Sequence, residues 1–177
     1  MNSHLLLSST RRIPAPRPMR PTTNFRAVRL SDAAAGVMTD FEHEHPVTVS
    51  EERRIDDALE DMISLGVRAL LVVREGRVTG LITSYDIQGE RPMQFLDGST
   101  YTRHDEIPVR HIMTPWEQVP VLGWEAVSEA SVGDVLEVFR ETKATHLLVL
   151  ETAADGSAFV RGLISRTRLE RQLAGYA

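Results

Sequence analysis

Two side chains near the middle of the chain have the types and the spacing needed to bind a nucleotide. Within residues 80–86 (GLITSYD), Thr83 follows an apolar run and Asp86 stands three residues later. The run is predicted to end as a strand where a helix begins, so the free N–H groups of the first helical turn favour an anion such as phosphate. Thr83 adds a hydroxyl donor, and the Asp86 carboxylate can accept hydrogen bonds from both hydroxyls of a ribose. A phosphate near Thr83 and a ribose on Asp86 together describe a nucleotide.

The same two residues also have a purely structural interpretation. Thr83 with Asp86 three positions later is a capping box, in which the two side chains satisfy backbone N–H groups at the start of a helix. Such a cap stabilises a helix by about 1 kcal/mol without any ligand. On spacing alone the cap is the favoured interpretation, so the nucleotide hypothesis depends on the surroundings of this segment.

Other catalytic or metal chemistry finds little support in the sequence. The chain contains no cysteine, which excludes disulfides, thiolate zinc sites and cysteine nucleophiles. It contains neither a Walker glycine loop nor a Gly-x-Ser-x-Gly elbow. Glu42, His43, Glu44 and His45 are metal-ligand types, but the two histidines are two residues apart in a predicted loop and have no third partner. We therefore predict no metal site, no required cofactor and no enzymatic activity.

An internal repeat supplies the elements that must position Thr83 and Asp86. Four short blocks occur twice, in the same order, and the second copy has five extra residues before its last block. The paired blocks are residues 37–39 and 112–114, 57–60 and 134–137, 69–73 and 146–150, and 80–83 and 162–165. The chain is therefore expected to contain two similar units.

Each unit is predicted to run strand, helix, strand, strand, helix. In the first copy Ile55, Leu59, Met62 and Ile63 recur at helical spacing, and Gly66 follows where a glycine ends a helix. Short apolar runs after the helix are interpreted as buried strands, joined in the first copy by a hairpin turn at residues 75–76.

The second copy repeats this pattern with its own helix signals. Val132, Leu136 and Phe139 form the apolar stripe. Ser131 precedes them as a predicted N-cap, with Asp134 as its capping-box partner. The second helix of this copy is expected to begin at residue 165 or 166, as its counterpart begins at residue 83 or 84.

Taken together, these residues resemble a pair of CBS domains, the modules named for the regulatory region of cystathionine β-synthase. The resemblance rests on residues 37–39 and 112–114, on residues 66–73 and above all on residues 80–86. It covers roughly residues 27–173. It implies an α/β (α+β) fold in which two tandem β-α-β-β-α repeats pack sheet to sheet around a pseudo-twofold axis and leave two clefts.

The resemblance also implies which residues form the first cleft. Family members bind AMP, ADP, ATP or S-adenosylmethionine, and place the hydroxyl residue and ribose-binding aspartate of one repeat against an adenine pocket of the other. Basic residues on the strand after the first helix of each repeat reach the phosphates. Carried over, the expected site is Thr83, Tyr85, Asp86, Arg68, Val109, Met113, Ala144 and His146. Arg68 and His146 are equally well explained as a surface arginine and a partly buried histidine.

The mirror-related cleft departs from the family pattern. Ser165 keeps the hydroxyl, but Arg168 stands where the aspartate belongs, and a guanidinium cannot accept a hydrogen bond from a ribose. Val67 and Met38 are the expected pocket residues. Arg166 and Arg168 would attract extra phosphates or simply lie on an exposed helix. We predict one complete cleft and one degenerate cleft.

The composition of the N-terminal segment distinguishes it from the two repeats. The first 26 residues are rich in proline and arginine and contain no acidic residue, which predicts a disordered basic tail; an organellar transit peptide is the less favoured alternative. Six arginines precede the first acidic residue, Asp32, and are a weak signal for nucleic acid. No apolar run approaches the roughly 20 residues that cross a bilayer. The predicted units are the tail (residues 1–26), the first repeat (27–90), a linker (91–106) and the second repeat (107–173).

The leading hypothesis is a cytoplasmic, stand-alone regulatory module that binds an adenosine-containing nucleotide between its repeats and signals to a partner protein. The family resemblance further implies a homodimer formed through helical faces. The alternative is a ligand-free structural, dimerisation or protein-interaction module in which the capping box is only a cap. The two hypotheses differ in whether Asp86 is needed for ligand binding or only for stability.

Overall fold

The computed structural model describes residues 26–175, so the predicted basic tail lies outside the described residues except for Arg26. Two four-stranded sheets face each other, with helices on their outer sides. The strands are β1 (Thr39–Asp40), β2 (Thr48–Ser50), β3 (Ala69–Arg74), β4 (Arg77–Thr83), β5 (Thr114–Pro115), β6 (Val121–Gly123), β7 (His146–Thr152) and β8 (Ala158–Ser165). The helices are α1 (Ile55–Leu65), α2 (Ser84–Gln88), α3 (Arg91–Asp97), α4 (Trp124–Glu129), α5 (Val132–Thr142) and α6 (Arg166–Ala174), and short 3₁₀ turns occur at Ala34–Val37, His104–Glu106, Val109–His111 and Trp116–Gln118.

The two sheets have the same strand order, which reflects the internal repeat. The first is ordered β2-β3-β4-β5 and the second β6-β7-β8-β1. In each sheet the first pair is parallel and the others are antiparallel. The predicted fold class, two α/β repeats packed sheet to sheet, is confirmed.

The leading segment of each repeat crosses over to the sheet of the other repeat. β1 pairs with β8, where Thr39 lies opposite Leu163. β5 pairs with β4, where Thr114 lies opposite Leu81. Each sheet is therefore completed by a strand from the opposite half of the chain, and residues of both repeats meet at the ends of β4 and β8.

Apolar side chains form a separate core on each side of the two sheets and a third between them. Met62 belongs to the core under α1 and Phe139 to the core under α5. Leu71, Leu81 and Leu148 lie between the sheets. Because both faces of β3 and β7 are covered, their sequences are continuous apolar runs rather than alternating patterns. Within residues 26–175 no helix is long and apolar enough to cross a membrane, and α1 and α5 have 11 residues each.

The local signals predicted at helix ends and turns are present. Gly66 ends α1 in the left-handed conformation with φ 67°. Glu75 and Gly76 both have positive φ, which suits the tight turn of the β3–β4 hairpin. Ser131 and Asp134 form the capping box of α5. These motifs depend on neighbouring residues only, which is why the sequence is sufficient to predict them.

Two helices were not predicted. Helix α3 occupies the first half of the segment interpreted as a linker, and it begins with Arg91 and Pro92. A proline in the first turn of a helix costs no hydrogen bond, so the residue that suggested a linker is compatible with a helix start. Helix α4 precedes α5 in the second repeat and has no counterpart in the first.

Glycines on β4 and β8 permit the crossing strands to approach closely. A Cβ atom on Gly80 would lie 2.5 Å from the carbonyl oxygen of Thr114, and one on Gly162 would lie 2.6 Å from that of Thr39. We expect Gly80→Ala to lower the free energy of unfolding by about 1–3 kcal/mol, because the backbone of β5 must shift. Urea denaturation measures this change. Gly36→Ala is the matched control, since no atom lies within 4 Å of the position that its Cβ atom would take; equal effects of both changes would contradict the close approach.

Candidate functional site

Two cavities lie where the ends of the sheets meet, and they are related by the internal repeat. We call the first the Asp86 cleft; it has a volume of about 270 Å³ and its lining includes Thr83, Asp86, Arg91, Thr114, Ala144 and His146. We call the second the Arg168 cleft; it has a volume of about 450 Å³ and its lining includes Thr39, Val67, Arg68, His146, Ser165 and Arg168. His146 contributes to both, so the two clefts adjoin near the centre of the molecule.

In the Asp86 cleft the capping box of α2 is fully formed. One carboxylate oxygen of Asp86, Oδ2, accepts hydrogen bonds from the backbone N–H of Thr83 at 2.9 Å and from its hydroxyl at 2.7 Å. The backbone N–H of Asp86 donates to Thr83 Oγ1 at 3.2 Å. The structural interpretation of these two residues is therefore correct, and it leaves the other carboxylate oxygen, Oδ1, directed at a different partner.

That partner is Arg91, a residue that the sequence analysis missed. Its Nη1 lies 2.9 Å from Asp86 Oδ1 and also donates to the carbonyl oxygen of Ile112 at 3.0 Å and to Thr114 Oγ1 at 3.3 Å. The Arg91 side chain is 49% exposed, whereas that of Asp86 is 14% exposed. The cation thus lies at the mouth of the cleft and covers the carboxylate oxygen that the capping box leaves free. An arginine at the start of a helix shortly after the capping box was the available sequence signal.

Four of the eight residues predicted for this site come together in it. Thr83 and Asp86 from the first repeat face Ala144 and His146 from the second. The other four lie elsewhere: Arg68 lines the Arg168 cleft, Tyr85 is 49% exposed on α2, Met113 packs against the core of the first sheet and Val109 is fully buried in that core. Arg68 Nη1 lies 3.4 Å from the Tyr85 hydroxyl.

Val109 and Met113 are displaced from the predicted site for a common reason. The segment that carries them forms a 3₁₀ turn, and its apolar side chains fill the core beneath α1. The Met113 sulfur lies 3.0 Å from the position that a Cβ atom on Gly80 would take, so it packs against the sheet. Thr114, the next residue, is the one that reaches the cleft.

His146 is buried between the clefts and has one side-chain partner. It is 5% exposed, and its Nδ1 lies 3.0 Å from the hydroxyl of the adjacent Thr145. Burial lowers the pKa of His146 to about 4 from its ordinary value of 6.5. The imidazole is therefore neutral near pH 7. Thr145 occupies Nδ1, so Nε2 is the ring nitrogen left for the clefts, as a donor or as an acceptor according to the tautomer.

The buried His146 predicts a defined dependence of stability on pH. The unfolded chain takes up a proton at this residue below pH 6.5, whereas the folded chain does so only near pH 4. We expect the free energy of unfolding to fall as the pH decreases from about 6.5 to about 4, and urea denaturation across that range measures it. His146→Gln should remove this part of the slope; His111, whose pKa is also lowered by burial, titrates in both proteins. Identical slopes would contradict the prediction.

The Arg168 cleft brings together three of the five residues predicted for it. Ser165, Val67 and Arg168 line it, and Arg168 Nη1 donates to Thr39 Oγ1 at 2.8 Å. Arg166 instead pairs with Glu170 on the surface of α6, with Nε 2.8 Å from Oε1. Met38 is buried, with its sulfur against Gly162.

The acidic and histidine-containing loop after β1 is organised by an arginine. Among residues 26–175, Asp40, Glu42 and His43 are the one group whose ligand atoms could share a cation. Arg161 occupies both carboxylates, with Nε 2.9 Å from Asp40 Oδ1 and Nη2 2.8 Å from Glu42 Oε2. The hydrogen bond from Arg161 lowers the pKa of Asp40 to about 2. The guanidinium already supplies the positive charge that a metal ion would bring to these carboxylates.

Comparisons with known proteins agree with this architecture. The CBS domain family model matches residues 34–91. A signal-transduction protein with CBS domains from Burkholderia ambifaria is 23% identical over 73% of this chain and 83% of its own, with a TM-score of 0.55. CBSX2, solved in complex with AMP, is 23% identical over 82% of this chain and 98% of its own, with a TM-score of 0.53.

A third solved structure has the same fold at lower identity. The CBS domain of a bacterial Mg²⁺ transporter of the CNNM/CorC family, in complex with ATP, is 16% identical over 82% of this chain and 89% of its own, with a TM-score of 0.55. No curated protein matches the sequence. The match to the CBS domain model thus covers the first repeat, and the fold is shared over both repeats.

Proposed function

We propose that the protein is a regulatory module that binds an adenine nucleotide in the Asp86 cleft. The CBS domain model matches residues 34–91, and both repeats have the fold of solved CBS-domain proteins. One observation carries this proposal: Thr83 and Asp86 of one repeat face Ala144 and His146 of the other across a single cleft. Two proteins of this fold were solved with AMP and with ATP, which supports the ligand class.

The arrangement assigns a task to each part of the ligand. The ribose hydroxyls would donate to Asp86 Oδ1, in place of Arg91, while Oδ2 remains bound to Thr83. Arg91 is about half exposed, so its side chain can turn toward the phosphate once it gives up its contacts with Asp86 and the Ile112 carbonyl. Lys143, which also lines the cleft, offers a second cation for the phosphate. AMP, ADP and ATP are the expected ligands, and S-adenosylmethionine is the remaining candidate.

Binding in this position would couple the two repeats. The cleft takes residues from β4 and α2 on one side and from the end of α5 and the start of β7 on the other. A ligand that contacts both sides favours the arrangement of repeats that it fits best, in proportion to its difference in affinity. A partner protein that contacts both repeats would detect that change, so we propose that the output is regulatory and not catalytic.

A homodimer is proposed from the apolar surface of the first repeat. Ile63 and Leu65 on α1 are 71% and 58% exposed, while Arg140 and Thr142 hold the same helical positions on α5. We expect Ile63→Asp to convert a dimer into a monomer in sedimentation equilibrium, because a carboxylate cannot be buried in an apolar contact. Met93→Asp on α3, also at an exposed apolar position, is the control and should remain dimeric. A monomeric wild-type protein would contradict the proposed dimer.

Isothermal titration of AMP, ADP, ATP and S-adenosylmethionine into the purified, nucleotide-free protein tests the proposed function. Saturable binding of one of these ligands would support the nucleotide-sensing module. No heat with any of them, from folded protein, would favour the alternative, a ligand-free structural or protein-interaction module in which Asp86 serves only as a helix cap.

A further inference from the structure

The Arg168 cleft gathers three arginines that form no ion pair with a carboxylate of the described residues. Arg68, Arg168 and Arg171 all line it, and none of them forms an ion pair within residues 26–175. Arg68 contacts the Tyr85 hydroxyl and Arg168 contacts the Thr39 hydroxyl, which are neutral groups. In the Asp86 cleft, by contrast, the arginine is already paired with the aspartate. Three arginines against the single carboxylate of Glu44 in the lining leave an excess of positive charge, which favours a ligand with more than one negative charge.

Arg168 reverses the hydrogen-bonding character of the position that it occupies. It stands on α6 where Asp86 stands on α2, three residues after the hydroxyl residue that ends the preceding strand. Asp86 accepts hydrogen bonds, whereas a guanidinium only donates them. A free ribose hydroxyl can satisfy Asp86 as a donor, but an ester phosphate in the same place offers acceptors and charge to Arg168.

The start of α6 differs from the start of α2 in a way that also favours an anion. The Ser165 side chain makes no capping hydrogen bond, and the first turn of α6 contains no acidic residue. In α2, Thr83 and Asp86 accept hydrogen bonds from backbone N–H groups at the helix start. The equivalent N–H groups of α6 have no such side-chain partner. Together with the arginines, this helix start adds to the attraction for an anion.

The size and the remaining lining of the cleft fit a ligand with an apolar ring as well as anionic groups. The cleft is larger than the Asp86 cleft, about 450 Å³ against about 270 Å³. Phe41, Val47, Val67 and Leu163 supply apolar walls, and Glu44 is the acidic residue of the lining. An inorganic polyanion would leave these walls without a partner.

We propose that the Arg168 cleft is a second binding site, selective for an adenine nucleotide whose ribose carries an additional phosphate on its 2′ or 3′ oxygen. Arg168 and Arg171 bind that phosphate, and the apolar walls receive the base. The position of the sugar rests on the proposed function, because it is taken from the equivalent place in the Asp86 cleft. The charge argument for Arg68, Arg168 and Arg171 stands independently of it.

Titration of adenosine 2′,5′-bisphosphate and adenosine 3′,5′-bisphosphate into the Asp86→Ala variant tests the proposal, since the Asp86 cleft is then disabled. We expect one of them to bind at least 10-fold more tightly than AMP. Arg168→Ala in the same background should abolish this binding. Arg166→Ala is the matched control, because Arg166 lies in the same helical turn but pairs with Glu170 outside the cleft.

The exchange variant Arg168→Asp provides a second, opposite result. In the Asp86→Ala background it restores an acceptor at the ribose position, so preference should move from the bisphosphate to AMP. Binding of inorganic triphosphate as tight as that of the bisphosphate would overturn the proposal in favour of a simple anion site. Equal binding of AMP and the bisphosphates, or no binding of either bisphosphate, would also overturn it. Loss of AMP binding in Asp86→Ala alone concerns the proposed function and leaves this proposal standing.

Discussion

Replacing Asp86 with alanine is expected to reduce the affinity for the adenine nucleotide about 100-fold while the protein stays folded. The side chain would accept hydrogen bonds from two ribose hydroxyls, and charge-assisted hydrogen bonds contribute about 1.5–3 kcal/mol each. Loss of about 3 kcal/mol corresponds to about 100-fold in the dissociation constant. Isothermal titration of AMP, ADP and ATP into the wild-type and variant proteins measures the change.

The chain contains a matched control for the structural role of Asp86. Asp134 caps α5 with nearly the same geometry: its Oδ2 accepts from the backbone N–H of Ser131 at 2.8 Å and from the Ser131 hydroxyl at 2.7 Å. Neither Ser131 nor Asp134 lines either of the two clefts. Asp86→Ala and Asp134→Ala should each cost about 1 kcal/mol of stability, but only the first should lose binding.

The comparison of these two variants separates the two hypotheses for the protein. If both variants bind nucleotide as tightly as the wild type, Asp86 is only a helix cap and the proposed site is wrong. If both lose binding together, the effect comes from stability and not from contact with the ligand. Loss confined to Asp86→Ala supports direct contact in the cleft.

The sequence predicts those parts of the fold that neighbouring residues determine. The capping boxes at Thr83 and Ser131, the left-handed Gly66 and the turn at Gly76 each depend on a few consecutive side chains. The two-sheet packing is predictable for a different reason: the chain repeats itself, and the repeated blocks resemble a known family. The CBS domain match to residues 34–91 confirms that resemblance for the first repeat.

The crossing of β1 and β5 between the sheets could not be predicted from local pattern. Each has two residues, too few for any alternation to be visible, and each pairs with a strand distant in sequence. The signal that was present is the glycine opposite each crossing, Gly80 and Gly162, where a side chain would collide with the incoming backbone. A glycine within an otherwise apolar strand indicates close approach of another backbone.

Only part of the predicted residue set comes together in the Asp86 cleft, because the sequence shows local spacing but not tertiary packing. Thr83 and Asp86 are adjacent in one motif, so their placement together required no knowledge of the tertiary structure. Arg91 reaches Asp86 because α3 turns back over α2, a contact that depends on packing and not on spacing. Val109 was assigned to the cleft from the family pattern, but packing of its turn beneath α1 buries it.

Arg161 is expected to be the most important single polar residue for stability. Its side chain is 9% exposed, and its guanidinium contacts three carboxylates: Asp40 on β1, Glu42 in the following loop and Glu151 on β7. It also lies 4.4 Å from the centre of the Trp124 ring on α4. The side chain therefore joins the crossing strand β1 to the body of the second sheet.

Arg161→Met should lower the free energy of unfolding by about 3 kcal/mol, measured by urea denaturation at neutral pH. Methionine keeps an apolar side chain of similar length, but Asp40 and Glu151, only 22% and 28% exposed, lose the cation that neutralises them. Arg140→Met is the control: its pair with Glu137 is about 60% exposed on both sides, and its removal should change stability by less than about 1 kcal/mol. Similar losses in the two variants would show that the Arg161 cluster is no more stabilising than a surface pair.

The pH dependence of the Arg161→Met effect identifies its electrostatic origin. Hydrogen bonding to Arg161 lowers the pKa of Asp40 from 3.8 to about 2 in the folded protein, so this contribution to stability is complete above pH 3.8 and is lost as the pH falls toward 2. In the variant Asp40 has no such partner, and its protonation relieves repulsion from Glu42 and Glu151. The difference in stability between wild type and Arg161→Met should therefore shrink as the pH falls from about 4 to about 2. A difference that stays constant over this range would mean that lost packing against Trp124, and not lost charge pairing, causes the destabilisation.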